Sequence, residues 1–201
     1  MRQNYISLLL FTIILSSCKA QNVPLYRADS DLPEWTHYKD LDSDLNDFEG
    51  IWKWQSNDSI VIIEFQKIED VYEEEYNQYE DYLVGEYKFT VGGTVVQNYL
   101  SRLDDNTIIG MEHYIASNTI LHKGQYPKCA DCTYDQRQVF VYFTDLQREY
   151  LNSAMVLRYK VEDGVEKRYV VFYSFENSFL PSIDSPNQNR IPYGDYTFIK
   201  Q

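Results

Sequence analysis

Residues 154–175 read AMVLRYKVEDGVEKRYVVFYSF. Two runs rich in Val, Tyr and Phe flank Glu162-Asp163-Gly164. Asp-Gly between such runs signals a β-hairpin, because a tight turn needs positive φ at its centre. The register follows from the charges. A two-residue Asp-Gly loop opposes Lys160 to Lys167 and Val161 to Glu166. A three-residue loop, with Gly164 in a left-handed bulge, pairs Val161 with Val165 and Lys160 with Glu166; it aligns Leu157 with Tyr169 and Met155 with Val171. Like charges directly opposed are unfavourable, so the three-residue loop is the expectation.

The same grammar extends outward in both directions. Upstream, residues 83–91 and 94–99 flank Gly92-Gly93, a second tight turn. Trp52 and Trp54 share one strand face, Ser56-Asn57-Asp58 makes a turn, and Val61, Ile63 and Phe65 alternate with Glu64 and Gln66. Residues 107–116 and 119–122 pair around Ser117-Asn118. Residues 138–144 form an apolar strand and 195–200 a final one. The acidic, tyrosine-rich run 69–81 lacks alternation and reads as a long loop; 145–153 reads as a short helix. The sum is an all-β fold: an antiparallel meander of about ten strands over residues 47–201. Parallel sheets need helical crossovers of a dozen or more residues, and the spacing leaves no room for a series of them. Closure into a barrel removes exposed edges and pairs the first strand with the last. A two-sheet sandwich is the alternative.

Composition agrees. Nineteen Tyr and ten Phe in 201 residues favour strands over helices. Before the β domain, residues 1–17 read as a signal peptide: Arg2 supplies a positive start, and residues 6–15 form an apolar run broken only by Ser7 and Thr12. Ten residues are too few to span a bilayer, which needs about 20. Removing residues 1–17 takes Arg2 away, so the mature chain carries −14 rather than −13. Such a charge disfavours nucleic acid and anionic membrane surfaces as partners. Residues 18–46, with Asp29, Asp31, Glu34, Asp40, Asp42 and Asp44, read as an acidic tether. Leu32, Trp35, Tyr38 and Leu41 within it follow a three-residue step that suits a short helical turn docked on the domain.

Leu15-Ser16-Ser17-Cys18 resembles the bacterial lipobox. The resemblance implies cleavage before Cys18, a diacylglycerol on its thiol, a palmitate-type acyl group on its new amino terminus, and a membrane as partner through that anchor. Several acyl chains anchor stably, at about 0.8 kcal/mol per buried CH₂. Lys19 in place of Asp implies the outer membrane, with the exposed leaflet undetermined.

Two further resemblances concern the domain. Gly50-Ile51-Trp52 is similar to the Gly-x-Trp signature of lipocalin-like barrels, which implies a bend at Gly50 and a plug at Trp52. Over nearly the whole chain, the sequence resembles a family of bacterial lipoproteins with a lipobox, an acidic linker, an F-x-G-x-W-x-W opening and a D-x-L-x-G-E-Y block. Here these are Phe48-Glu49-Gly50-Ile51-Trp52-Lys53-Trp54 and Asp81-Tyr82-Leu83-Val84-Gly85-Glu86-Tyr87. That family carries no known activity.

Chemistry-bearing residues are few. Outside the cytoplasm, Cys129 and Cys132 are a disulfide by default. A catalytic redox pair expects a βαβ context, which is absent. A zinc site is a third option, beside inert thiols: with a two-residue turn at Ser117-Asn118, His113 and His122 share a sheet face, and Cys129 and Cys132 complete four ligands. The acidic run 69–81 lacks the ordered spacing of a calcium loop. The tyrosines suit a stacking platform, although strand and core roles account for most of them. No G-x-S-x-G, H-E-x-x-H, Walker or dinucleotide motif occurs, and no catalytic residue is singled out. Three readings stand. A binding module holds a small apolar or amphipathic ligand in a cavity. An envelope interaction protein has a filled core and an exposed aromatic patch. An extracytoplasmic enzyme, metal-dependent or otherwise, converges titratable groups in a cleft.

Overall fold

The computed structural model describes residues 21–26, 36–130, 132–133, 136–175 and 182–201. The expected signal peptide, Cys18, Leu32 and Trp35 lie outside them. Among the described residues there are eleven strands: β1 (Asn22–Pro24), β2 (His37–Lys39), β3 (Gly50–Ser56), β4 (Ser59–Glu73), β5 (Gln78–Val91), β6 (Thr94–Asn98), β7 (Ile115–Leu121), β8 (Gln138–Phe143), β9 (Ser153–Glu162), β10 (Val165–Ser174) and β11 (Gly194–Lys200). Eight of them close a ring in the order β5-β4-β3-β11-β10-β9-β8-β7, with β7 returning to β5. The expected all-β antiparallel barrel of lipocalin-like form is present, and the sandwich alternative falls. As anticipated, the meander's first strand meets its last: Lys53 opposes Ile199 and Trp52 opposes Lys200.

Period-2 alternation fills the axis with side chains. Trp52, Ile63, Leu83, Tyr87, Met155, Leu157, Phe172 and Phe198 are all buried in one cluster. Leu45 and Phe48 join it where residues 40–48 cross one end of the barrel. That end is closed. The β4–β5 hairpin projects there, with its tip between Glu73 and Gln78.

Several sequence expectations are corrected. The β9–β10 hairpin uses the two-residue loop: Glu162 opposes Val165, and both Asp163 (φ 54°) and Gly164 (φ 77°) are left-handed. Lys160 therefore does oppose Lys167, but the charges are relieved. Lys167 Nζ reaches Glu162 at 2.9 Å, and Lys160 lies over the Tyr169 ring. Burial decides the register, since a one-residue slip would exchange the faces of a strand. The observed pairing sets Leu157 against Val170 and Met155 against Phe172, all in the core.

The run 69–81 is paired strand on either side of a four-residue turn at 74–77, not a long loop. A bulge between Ile68 and Val71 breaks its alternation, and Asp70 adopts φ 58° there. Ser117-Asn118 is likewise a bulge within continuous β7, not a turn. Residues 107–114 are turns and a 3₁₀ segment, and 145–153 contain turns rather than a helix.

The stretch 36–46, expected in the tether with Tyr38 in a helical turn, is bound to the barrel, and Tyr38 lies in strand β2. β5 runs beyond its pairing with β7, so its edge is open, and β2 fills that edge in parallel, with β1 beside it. Asp81 fixes the arrangement: its carboxylate accepts from the Asp40 N–H at 2.9 Å and the Asp70 N–H at 3.0 Å.

Candidate functional site

The outer wall over β7–β10 carries an aromatic groove. On β9 the inward residues are Met155 and Leu157, so Ala154 and Val156 face outward. Both are small and fully buried, which makes them a floor. Larger residues on the flanking strands rise beside them. Tyr142 and Tyr173 oppose Ala154 from either side, and Phe140 opposes Val156. Leu121, Thr119, Ser174, Phe175 and the loop residue Tyr126 complete a cleft of about 450 Å³. The rings brace one another edge to face: Phe140 with Phe175 at 5.4 Å, Tyr142 with Phe175 at 5.6 Å, and Tyr126 with Tyr173 at 5.6 Å. Tyr126 is 74% exposed and Tyr142 40%. Burial, with Tyr126 and Tyr142 nearby, pushes the Tyr173 hydroxyl up from its ordinary pKa. Among the described residues, no charged side chain lines the groove, although the chain carries a net charge of −13.

The closed end explains the Gly-x-Trp residues. Gly50 has φ 106°, which bends the chain into β3. Trp52 is buried, and its indole N–H donates to the Phe48 carbonyl at 2.9 Å. Arg168 lies across it, with its guanidinium carbon 3.8 Å from the Trp52 ring, 4.1 Å from Tyr159 and 4.7 Å from Phe48. Its Nε and one Nη have no protein partner, and burial pulls its pKa down to about 10. Sequence reasoning missed Arg168, because Glu166-Lys167-Arg168 reads as surface. Only the correct hairpin register points it inward.

Two clusters of titratable groups lie on the outer face of β4 and β5, beside β7 and beneath residues 99–114. Glu86, fully buried, accepts from Arg102 Nε at 3.0 Å and meets His113 Nδ1 at 3.2 Å. Arg102 also stacks on Tyr114 at 4.1 Å. Nearby, the Tyr82 hydroxyl lies 2.7 Å from both Glu73 and Glu80. Asn118 and Gln78 also donate to Glu80. Burial pushes Glu80 above the usual carboxylate range, against the lowering effect of the Tyr82 and Gln78 hydrogen bonds. Leu103 packs on Tyr82, and Gly110 sits over Tyr82 and Glu73. Glu86 fastens the β6–β7 connection to the wall, whereas Glu73 and Glu80 bond within strands β4, β5 and β7.

The expected site residues are placed as follows. Cys129 and Cys132 are bonded to each other through sulfur and are buried. His113 and His122 lie beyond opposite ends of the seven-residue strand β7, which alone spans about 20 Å at ~3.3 Å per residue. His113 belongs to Glu86, and His122 meets the Tyr26 ring edge to face at 5.6 Å. The four-residue zinc set is therefore not brought together. Among the described residues, no group of three or more His, Cys, Asp or Glu is arranged to hold a metal.

No curated protein and no solved structure matches the chain. A family model does match, along residues 1–201, and its description is a family of unknown function, DUF6705. With an aromatic groove outside a filled eight-stranded barrel, this chain belongs to the DUF6705 family.

Proposed function

We propose that this protein is a lipid-anchored, non-catalytic binding module of the cell envelope that holds an apolar or amphipathic partner along its outer aromatic groove. The uncharged aromatic groove on a strongly acidic chain carries the reading. Apolar surface left together on a soluble wall marks a contact site, and tyrosines offer rigid rings with polar tips. The filled axis turns the reading from the barrel interior to its wall. The signal peptide and Leu15-Ser16-Ser17-Cys18 support the lipid anchor, and Lys19 supports the outer membrane.

The test is binding of N-phenyl-1-naphthylamine, an uncharged amphipathic fluorophore, to the purified mature chain. Tyr142→Ser with Tyr173→Ser is expected to weaken binding at least tenfold, with the thermal midpoint little changed. Equal binding by this variant would sink the groove as the site. The anchor is checked separately by intact mass: acyl groups are expected on Cys18 and absent from Cys18→Ser.

A further inference from the structure

The point at which the fold captures its own chain fixes how the barrel meets the membrane. Gln21 is already bound, its carbonyl accepting from the His37 N–H at 2.9 Å. Asn22, Val23 and Pro24 then pair with His37, Tyr38 and Lys39, and Val23 is only 2% exposed. Three residue steps separate Cys18 from Gln21. At 3.8 Å per step they span at most about 11 Å. A 29-residue leash would allow any orientation, but so short a link does not.

The direction of exit is equally defined. β1 runs parallel to β2, and β2 parallel to β5. Asn22 therefore lies at the level of His37 and Tyr79, three residues past Tyr76 at the hairpin tip. This is the closed end of the barrel. Exposed tyrosines gather at that end: Tyr72 (42%) and Tyr76 (61%) on the hairpin, Tyr26 (38%) after β1, and Tyr126 on the loop after β7. Rings with a polar tip are the side chains that settle at a bilayer's headgroup level.

We infer that the closed end is a membrane-apposed surface, with Tyr72 and Tyr76 seated among the headgroups of the bilayer that holds Cys18. The inference rests on the lipid anchor proposed above. Its partner is a zwitterionic lipid surface, because Glu73, Glu74 and Glu75 on the same hairpin repel anionic headgroups. The turns at the far end of the barrel then stand one barrel height away, about 30 Å for a tilted strand of this length. The aromatic groove runs up the side, open to a partner at the membrane.

The test uses the full acylated protein in phosphatidylcholine–phosphatidylethanolamine vesicles bearing a headgroup energy acceptor. A donor is placed at Glu75→Cys on the hairpin tip or at Val95→Cys on β6. Transfer from residue 75 is expected to exceed that from residue 95 several-fold. Twenty Gly/Ser residues inserted between Ala20 and Gln21 are expected to abolish the difference. Equal transfer from both positions in acylated protein would overturn the inference and leave the anchor standing. A chain without acyl groups on Cys18 would overturn both.

Discussion

At the residue scale, the D-x-L-x-G-E-Y block shows how a motif can be quoted from sequence and still lack a reason. Each member has a physical duty that only the fold displays. Asp81 ties the 36–46 stretch and the β4 bulge to the barrel. Leu83 and Tyr87 face the axis, while Glu86 points outward to Arg102 and His113 of the β6–β7 connection. Gly85 opposes Phe65 across the strand pair, and the Phe65 ring covers the glycine. A Cβ at Gly85 would lie 2.7 Å from one Phe65 ring carbon and 3.0 Å from the Glu64 carbonyl oxygen. Gly85→Ala must therefore push a core ring aside, at a cost of about 1–3 kcal/mol. The expected result is a lower denaturant midpoint with an unchanged slope. A midpoint within error of the parent would show that Phe65 repacks freely.

At the scale of elements, the sequence displayed the strands whose alternation is unbroken and hid those carrying a bulge. β3, β8, β10 and β11 were legible from Trp52/Trp54, residues 138–144, 154–175 and 195–200. The distal half of β4 was not, and β7 was read as two strands around a turn, because Asp70 and Ser117-Asn118 insert residues that shift the inward face. The groove was unreadable for a related reason. It depends on Ala154 and Val156 being small on the outward face of β9, and that face is fixed only by the true hairpin register. The candidate histidine pair failed with the turn that created it. Its true partner, Glu86, is 27 residues away in sequence. Removing that carboxylate should free the β6–β7 connection without opening the barrel. Glu86→Ala leaves Arg102 and the Tyr114 N–H without their acceptor. Breaking a buried pair from one side costs about 3–5 kcal/mol, and Arg102, which is partly exposed, brings this to the low end. Hydrogen exchange should show amides 100–114 opening together while those of β8–β10 stay protected. Uniform loss across all strands would mean the connection is integral to the barrel.

At the scale of the whole molecule, a barrel walled and filled by tyrosine acquires a definite alkaline limit. Burial pushes Tyr196 up to about 12 and raises Tyr82 and Tyr87 further. In the unfolded chain these phenols ionise near 10. The folded state therefore keeps protons that the unfolded state releases. Stability from these groups is fully present below pH 10 and falls as pH rises toward 12. Absorbance at 295 nm should show the exposed tyrosines ionising first, and the buried ones only in a second, cooperative step that coincides with loss of near-ultraviolet circular dichroism. A single smooth titration would contradict the burial. Mechanical behaviour follows from the strands outside the ring. β1 pairs with β2 and β2 with β5, each over three residues or fewer, while the eight barrel strands close on themselves. Tension applied at Gln21 therefore peels β1 and β2 before it reaches any ring strand. The 19 residue steps from Gln21 to Asp40 pay out roughly 65 Å of chain. In a single-molecule pulling experiment, a short low-force extension should precede the unfolding of the barrel. The same polypeptide is thus a stiff mount at rest and a long spring under load, and the changeover is reversible because the edge of β5 waits, unpaired, for β2 to return.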